Sequence, residues 1–359
     1  MTGTLAGFVL RLCRESAGHT QSGMAEILVV DLATVQGWES GRRPLANMKA
    51  GALLELRRKL PVLGADTVLV ALLDPAMDAD RIIAAALDPP RDALLHPLAG
   101  WVHDRAVAHM IGWAIQGTPP PVVSARPLAS RRGAAPKSPM LTAVDRQQLF
   151  AHLRQVAEES HRAGTAAPLL RRQALYLTSY DRTPEARAWT AHTLYRGRGV
   201  LGLRGWSERW AEARSMATAL ARQGDQQPLI DFIERALVDD DEGEVANLNY
   251  WAHWLGAGSG QQADDRFMAD RNLSGLDPVR LFRLLVRGVD EAPTYAELYA
   301  HTLWALLRLH PWLPLAAPDT AGLLASQSER LLDGAGPVLS SRSRREFAAV
   351  HEQSVRRST

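Results

Sequence analysis

Between residues 20 and 44 a few side chains could make directed contacts with another molecule. Thr34 and Gln36 lie on a short stretch of helical periodicity, and Arg42 and Arg43 follow its end. A glutamine amide can hold an adenine edge through two hydrogen bonds, and a guanidinium grips phosphate oxygens in a similar paired fashion. The whole stretch reads as two short helices, a tight turn between them and a basic exit. That is the plan of a helix-turn-helix, whose second helix enters the major groove of DNA.

A second group is aromatic. On a helix, Asn247, Tyr250, Trp251 and Trp254 share a face. Aromatics at that spacing normally form core, with their polar tips bonded. The alternative is a pocket for a small-molecule or protein effector, with Tyr250, Trp251, His253 and Trp254 as candidate ligand contacts and His301 and Trp304 facing it. The run Asp239 to Glu244 lacks the alternating ligand spacing of a calcium loop and reads as a solvated acidic loop. There is no GxxxxGK[ST] phosphate loop, GxSxG elbow or HExxH helix. Cys13 is the lone cysteine, which excludes an intrachain disulfide and a cysteine-based zinc site. No catalytic residue, metal or cofactor is assigned, and an enzyme is not expected.

The positioning elements follow from periodicity and punctuation. Leu5, Phe8, Val9 and Leu12 give a first helix an apolar face; it continues through Arg14 to about Ala17, and Gly18 suits its end. Thr20 can cap a second helix running to about Leu28. Ala25 is small enough for a close helix crossing. Met24, Leu28, Val35 and Trp38 would fill the wedge between the second and third helices. Asp31 can cap the third, and Gly41 can take the left-handed conformation that ends it.

Residues 8 to 60 resemble the Cro/CI-type phage-repressor family, also called XRE. The resemblance is carried by Thr20-Gln21, Met24-Ala25, Leu28, Thr34-Val35 and the run from Trp38 to Pro44. It implies a recognition helix from Leu32 to Glu39 and a phosphate contact for Gln21 at the start of helix two. It further implies an internal ion pair between Arg14 and Glu39, and backbone contacts for Arg42 and Arg43. The site set is therefore Thr20, Gln21, Leu32, Ala33, Thr34, Gln36, Gly37, Arg42 and Arg43. Two departures stand out. Val29 occupies the position where the family commonly has glycine, and a β-branched residue disfavours positive φ, so a different turn geometry is expected. Leu32, Ala33 and Gly37 point outward and no arginine lies in the helix to read guanine, so phosphate contacts and DNA shape are expected to carry much of the selectivity. The overall layout, with the aromatic helix and residues 302–307, looks like the long XRE regulators of actinobacteria.

At 359 residues and a net charge of +2, the chain has room for two domains, and any positive surface must be local. Periodicity is helical throughout, so the expected fold is all-α. Residues 1–62 form a five-helix-type helix-turn-helix domain. Residues 66–117, interrupted at Asp74-Pro75 and Pro89-Pro90, form a helical connector or dimerisation segment that could pack with either neighbour; Leu94, Leu98, Trp101, Val102, Ala106, His109 and Met110 recur in it at helical spacing. Residues 118–140 are a Pro/Arg-rich linker, carrying Arg126, Arg131, Arg132 and Lys137, that is either a solvated tether or a phosphate-contacting arm. Residues 141–359 form a large domain of about eight helices in hairpins, with a TPR-like stack as one arrangement open to them. Thr183-Pro184 and Asp277-Pro278 read as helix starts, Thr294 with Glu297 as a capping box, and Gly224 as a C-cap. Arg342, Arg344, Arg345, Arg356 and Arg357, with Phe347 and Val350, suggest an amphipathic last helix. No signal peptide or apolar run of membrane length is found, so a cytoplasmic protein is expected.

Together these features point to a transcriptional regulator bound to double-stranded DNA as a homodimer. The alternative is an interaction scaffold or antitoxin-like partner whose helix-turn-helix no longer reads bases.

Overall fold

In a computed structural model, residues 3–126, 138–162, 168–197, 199, 201, 203–258, 260–272 and 275–355 are described. The fold is all-α, with no β-strand among those residues. The chain divides into two compact units, Met1–Val156 and Ala157–Thr359.

The first unit opens with α1 (Thr4–Ser16), α2 (Gln21–Leu28) and α3 (Leu32–Glu39). Thr20 caps α2 by accepting from the Gly23 N–H at 3.0 Å. Asp31 occupies the N-cap of α3, but its side chain makes no capping bond. Met24, Ala25 and Val35 are buried where the helices meet, while Leu28 and Trp38 are half-buried. Gly7 sits where α1 crosses the end of α3. A Cβ there would lie 2.3 Å from the Trp38 carbonyl oxygen, so only glycine permits this approach. α4 (Ala50–Val62) completes the expected first domain, which thus holds four α-helices and a 3-10 turn (Leu45–Asn47) among its described residues. The fifth, α5 (Thr67–Ala71), lies beyond it.

Residues 66–117 share this core, which settles where they pack. α6 (Leu73–Leu87) buries Ala76, Ala79, Ile82, Ile83 and Ala86, and both α1 and α8 (Arg105–Gln116) pack on it. Phe8 meets Trp113 edge-on, 5.1 Å between ring centroids. Asp80 on α6 caps α1 from a distance, accepting from the N–H groups of Leu5 and Ala6 at 3.0 and 2.9 Å. Those are donors that a helix N-terminus leaves unpaired. The breaks fall differently from the sequence expectation. Asp74-Pro75 lies inside the first turn of α6, where proline needs no N–H partner. The periodic run 94–110 is split into a 3-10 turn (Ala93–Leu95), α7 (Pro97–Gly100) and α8, leaving Leu94 exposed. The division at 156/157, rather than 140/141, falls within α10 (Ala143–Arg162). Of the linker, α9 (Pro121–Ser124) is formed and Arg126 pairs with Asp66. Pro127, Arg131, Arg132, Pro136 and Lys137 lie outside the described residues.

The second unit contains α11 (Pro168–Thr178), α12 (Pro184–Gly197), α13 (Glu208–Arg222), α14 (Gln227–Ala236), α15 (Asp241–Leu255), α16 (Pro278–Glu291), α17 (Ala296–Leu309), α18 (Leu313–Ala316), α19 (Pro318–Leu332) and α20 (Ser341–Val355). That is more than the eight expected. Consecutive pairs α13 and α14, α16 and α17, and α19 and α20 pack on each other as hairpins. Trp210, Phe232, Phe282 and Phe347 are fully buried at its centre. Thr183 and Asp277 do cap the helices that begin at the following prolines. Glu297 does not close a capping box: it is buried and accepts from the Ser340 N–H and the Ser340 and Ser343 hydroxyls at 2.6 to 2.7 Å.

The turn between α2 and α3 keeps left-handed geometry despite its residue. Val29 adopts φ 56°, ψ 50° and is 87% exposed, so no packing offsets the strain. A left-handed L-residue costs about 1–2 kcal/mol, and glycine gives back about half of that through its freer unfolded chain. Val29→Gly is therefore expected to stabilise the protein by about 0.5–1 kcal/mol, read as a higher urea midpoint at unchanged slope.

Candidate functional site

The N-terminal site is organised by one carboxylate. Glu39, at the end of α3, accepts from Arg14 Nε and Nη2 at 2.5 and 3.0 Å, and from the Gln21 amide at 2.7 Å. Arg14 also donates to the His19 carbonyl oxygen at 2.7 Å. Both charged side chains are more than nine-tenths buried. α1, α2 and the turn before α2 are thus tied to the end of α3. The ion pair appears where it was expected. Gln21, expected on a phosphate, gives one of its two amide N–H donors to Glu39.

The rest of the set lies on the other side of α3. Leu32 and Ala33 are exposed and Gln36 is half-exposed, while Val35 and Glu39 face inward. Thr34 sits on the flank, where its hydroxyl accepts from Arg43 Nη1 at 2.8 Å. Gly37 is buried beneath the Arg43 side chain. Arg42 is exposed and donates to the Ser40 hydroxyl at 3.2 Å. Thr20 is exposed beside Ser22, their hydroxyls 3.1 Å apart. The exit loop packs closely on the start of α1: Gly41 has φ 73°, and a Cβ on it would lie 2.8–2.9 Å from the backbone of Gly3 and Thr4. Gly7 and Gly41 escape sequence reading as a pair, because their closeness to α3 and α1 is a tertiary fact.

The aromatic candidates of the second unit pack against different neighbours. Tyr250 and Trp254 stack at 6.0 Å, and Trp254 meets Tyr176 edge-on. Trp251 packs on Tyr299 at 4.8 Å. His253 packs on Phe267 and lines a small cavity of about 130 Å³. Sequence reasoning missed the arginines. Arg214 is buried 3.7 Å above the Tyr250 ring centre, and burial lowers its pKa to about 10. Arg172 is buried against Asp265, with Nε at 2.8 Å from Oδ2. Arg222 donates to Tyr176 Oη and Ser179 Oγ at 2.6 and 2.7 Å. An arginine on a helix looks like a surface residue until its aromatic neighbours are placed.

His301 and Trp304 belong to another place. With ring centroids 5.7 Å apart, they lie beside an open groove of about 810 Å³ whose lining includes Glu244, Trp304, Arg308, Arg345 and Glu346. His301 is fully buried, with Nδ1 2.8 Å from Glu346 Oε1. Nε2 is 2.9 Å from Glu244 Oε1, an ion-pair distance without an aligned hydrogen bond. Burial lowers the imidazole pKa, but the two carboxylates together outweigh that and raise it to about 9. The acidic run 239–244 is a helix start rather than a loop: Asp240 caps α15 and accepts from Gly243 N–H at 2.9 Å. Arg342 is taken up by Glu297 and Glu346. Phe347 and Val350 form the buried face of α20; Arg356 and Arg357 lie outside the described residues.

Among the described residues no three His, Cys, Asp or Glu side chains are grouped to hold a metal ion, and no helix is long and apolar enough to cross a membrane. No family model matches the chain, and no curated protein or solved structure is found similar to it.

Two consequences are measurable. Glu39→Ala removes the buried partner of Arg14, leaving it the more distant Glu15 carboxylate at 3.5 Å and the His19 carbonyl, and is expected to cost about 3 kcal/mol of stability, seen as a lowered denaturation midpoint. His301 holds its proton in the fold at pH values where the unfolded chain has lost it. Its contribution is complete below pH 6.5 and lost as pH rises through about 9. The amount is roughly 3 kcal/mol, and His301→Gln should flatten the decline of stability across that range.

Proposed function

We propose that this protein is a DNA-binding transcriptional regulator acting in the cytoplasm, with α3 as its recognition helix and no catalytic role. The reading is carried by one observation: α3 is anchored on its inner side by Val35 and Glu39 and leaves Leu32, Ala33 and Gln36 open to solvent. An eight-residue helix presented this way has the size and exposure to enter a major groove. Gln36 offers an amide to adenine, and Leu32 and Ala33 offer apolar contact to thymine methyl groups. Thr20 and Arg42 are exposed, Thr20 before α2 and Arg42 just past the end of α3, and serve as the phosphate contacts. Gln21 contributes through Glu39, as a positioning residue.

One such helix buries little surface, so binding as a homodimer to two half-sites about one helical turn apart fits the reading. The all-α second unit then serves for dimerisation or for sensing an effector.

Two substitutions separate phosphate from base contacts. Arg42→Ala should weaken binding alike on all sequences and reduce the salt slope by about one counterion. Gln36→Ala should change the preferred sequence while leaving non-specific affinity in place. The measurement is selection of bound duplexes followed by titration at several salt concentrations. Salt-labile binding without any sequence preference, together with a tight protein partner, would favour the scaffold reading instead.

A further inference from the structure

We infer that Arg43, which lies outside α3, is the guanine-reading side chain of this protein, held over the outer flank of the helix by Gly37 and Thr34. This rests on the DNA-binding reading above and names a base that α3 by itself has no means to recognise.

Residues 32–39 contain no arginine or lysine, so the helix offers the groove one amide and one hydroxyl. The chain after the helix supplies the missing group. The Arg43 N–H donates to the Gly37 carbonyl oxygen at 2.9 Å, which turns the chain back onto α3. From there the Arg43 stem runs across Gly37: a Cβ on that glycine would meet Arg43 Cδ at 3.0 Å and Cγ at 3.1 Å. The guanidinium then reaches Thr34, with Nη1 2.8 Å from Oγ1. At about 100° per residue, Gly37 falls between Ala33 and Thr34 around the helix. The guanidinium therefore lies beside the open face formed by Leu32, Ala33 and Gln36.

The tether leaves capacity to spare. A guanidinium carries five N–H donors in a planar fork, and the bond to Thr34 uses one. The remaining donors suit the O6 and N7 acceptors that guanine presents in the major groove. Holding the stem across Gly37 removes much of the rotamer freedom that a free arginine would lose on binding. Arg42 differs in this respect. Its Nε turns to Ser40, past the end of α3, which suits a phosphate. The two adjacent arginines thus take different targets.

The test uses the full chain and duplexes selected from a randomised pool at one salt concentration. The wild-type site should contain a guanine in each half-site, preferred over other bases by roughly 5- to 150-fold. Arg43→Ala should lose that preference and keep the rest of the site. Arg43→Lys, with its charge but no fork, should keep the salt slope and lose the preference. Thr34→Val, which removes the tether, should lower it. Replacing that guanine by 7-deazaguanine, which lacks N7, should weaken the wild type and leave Arg43→Ala unaffected. Uniform weakening of Arg43→Ala on every sequence, with the selected site intact, would make Arg43 a phosphate contact and overturn the inference, as would a site without guanine. A wild-type protein that selects no sequence would instead bring down the DNA-binding reading itself.

Discussion

The first unit depends on the burial of Glu39. An ionised carboxylate removed from water is strongly unfavourable unless it is paired and its lone pairs are filled. Glu39 meets that requirement with Arg14 of α1 and Gln21 of α2. A packing of these helices that separates any of the three leaves a buried group unpaired. The same contact turns one side of α3 inward, and the opposite side is left open as a consequence. The glycine at position 7 makes this possible, because a methyl group there would collide with the carbonyl at the end of α3.

Burial also shifts other titratable groups, with opposite pH consequences. Burial raises the pKa of Asp80 to about 6, against the lowering effect of its backbone hydrogen bonds. The folded state then holds more protons than the unfolded chain between about pH 4 and 6, and stability falls as pH rises through that window. Burial, with His152 alongside, lowers the pKa of His96 to about 4. Between there and pH 6.5 the folded state holds fewer protons, and stability rises with pH. The two opposite slopes lie in the same unit and largely cancel. In the second unit His301 has no such counterweight among the shifts described, and its protonated form is held by carboxylates from two different helices.

Much of the N-terminal plan was legible because it is local. Thr20 as a cap, Gly18 and Gly41 in left-handed conformations and the extents of α2 and α3 depend on near neighbours in the chain. The Arg14–Glu39 pair was legible through resemblance alone, since 25 residues separate the partners. Local rules misjudged Val29. Its side-chain preference opposes φ 56°, yet the N–H groups of Val29 and Val30 close the end of α2 onto Glu26 and Ala25, and that closure prevails. They also misjudged Thr294 with Glu297, where capping-box spacing lost to hydroxyl and amide donors more than 40 residues away.

The sequence by itself determined that this protein is helical and where its first helices begin and end. Those properties follow from spacing, propensity and capping, which act over a few residues. Only the tertiary structure decided that residues 66–117 complete the first core, that Gln21 serves Glu39, that the aromatic helix closes over buried arginines, and that Arg43 lies across Gly37. Each of these turns on which polar groups meet after long loops close. Periodicity can mark a face as buried, but it cannot name the partner that satisfies a charge placed there.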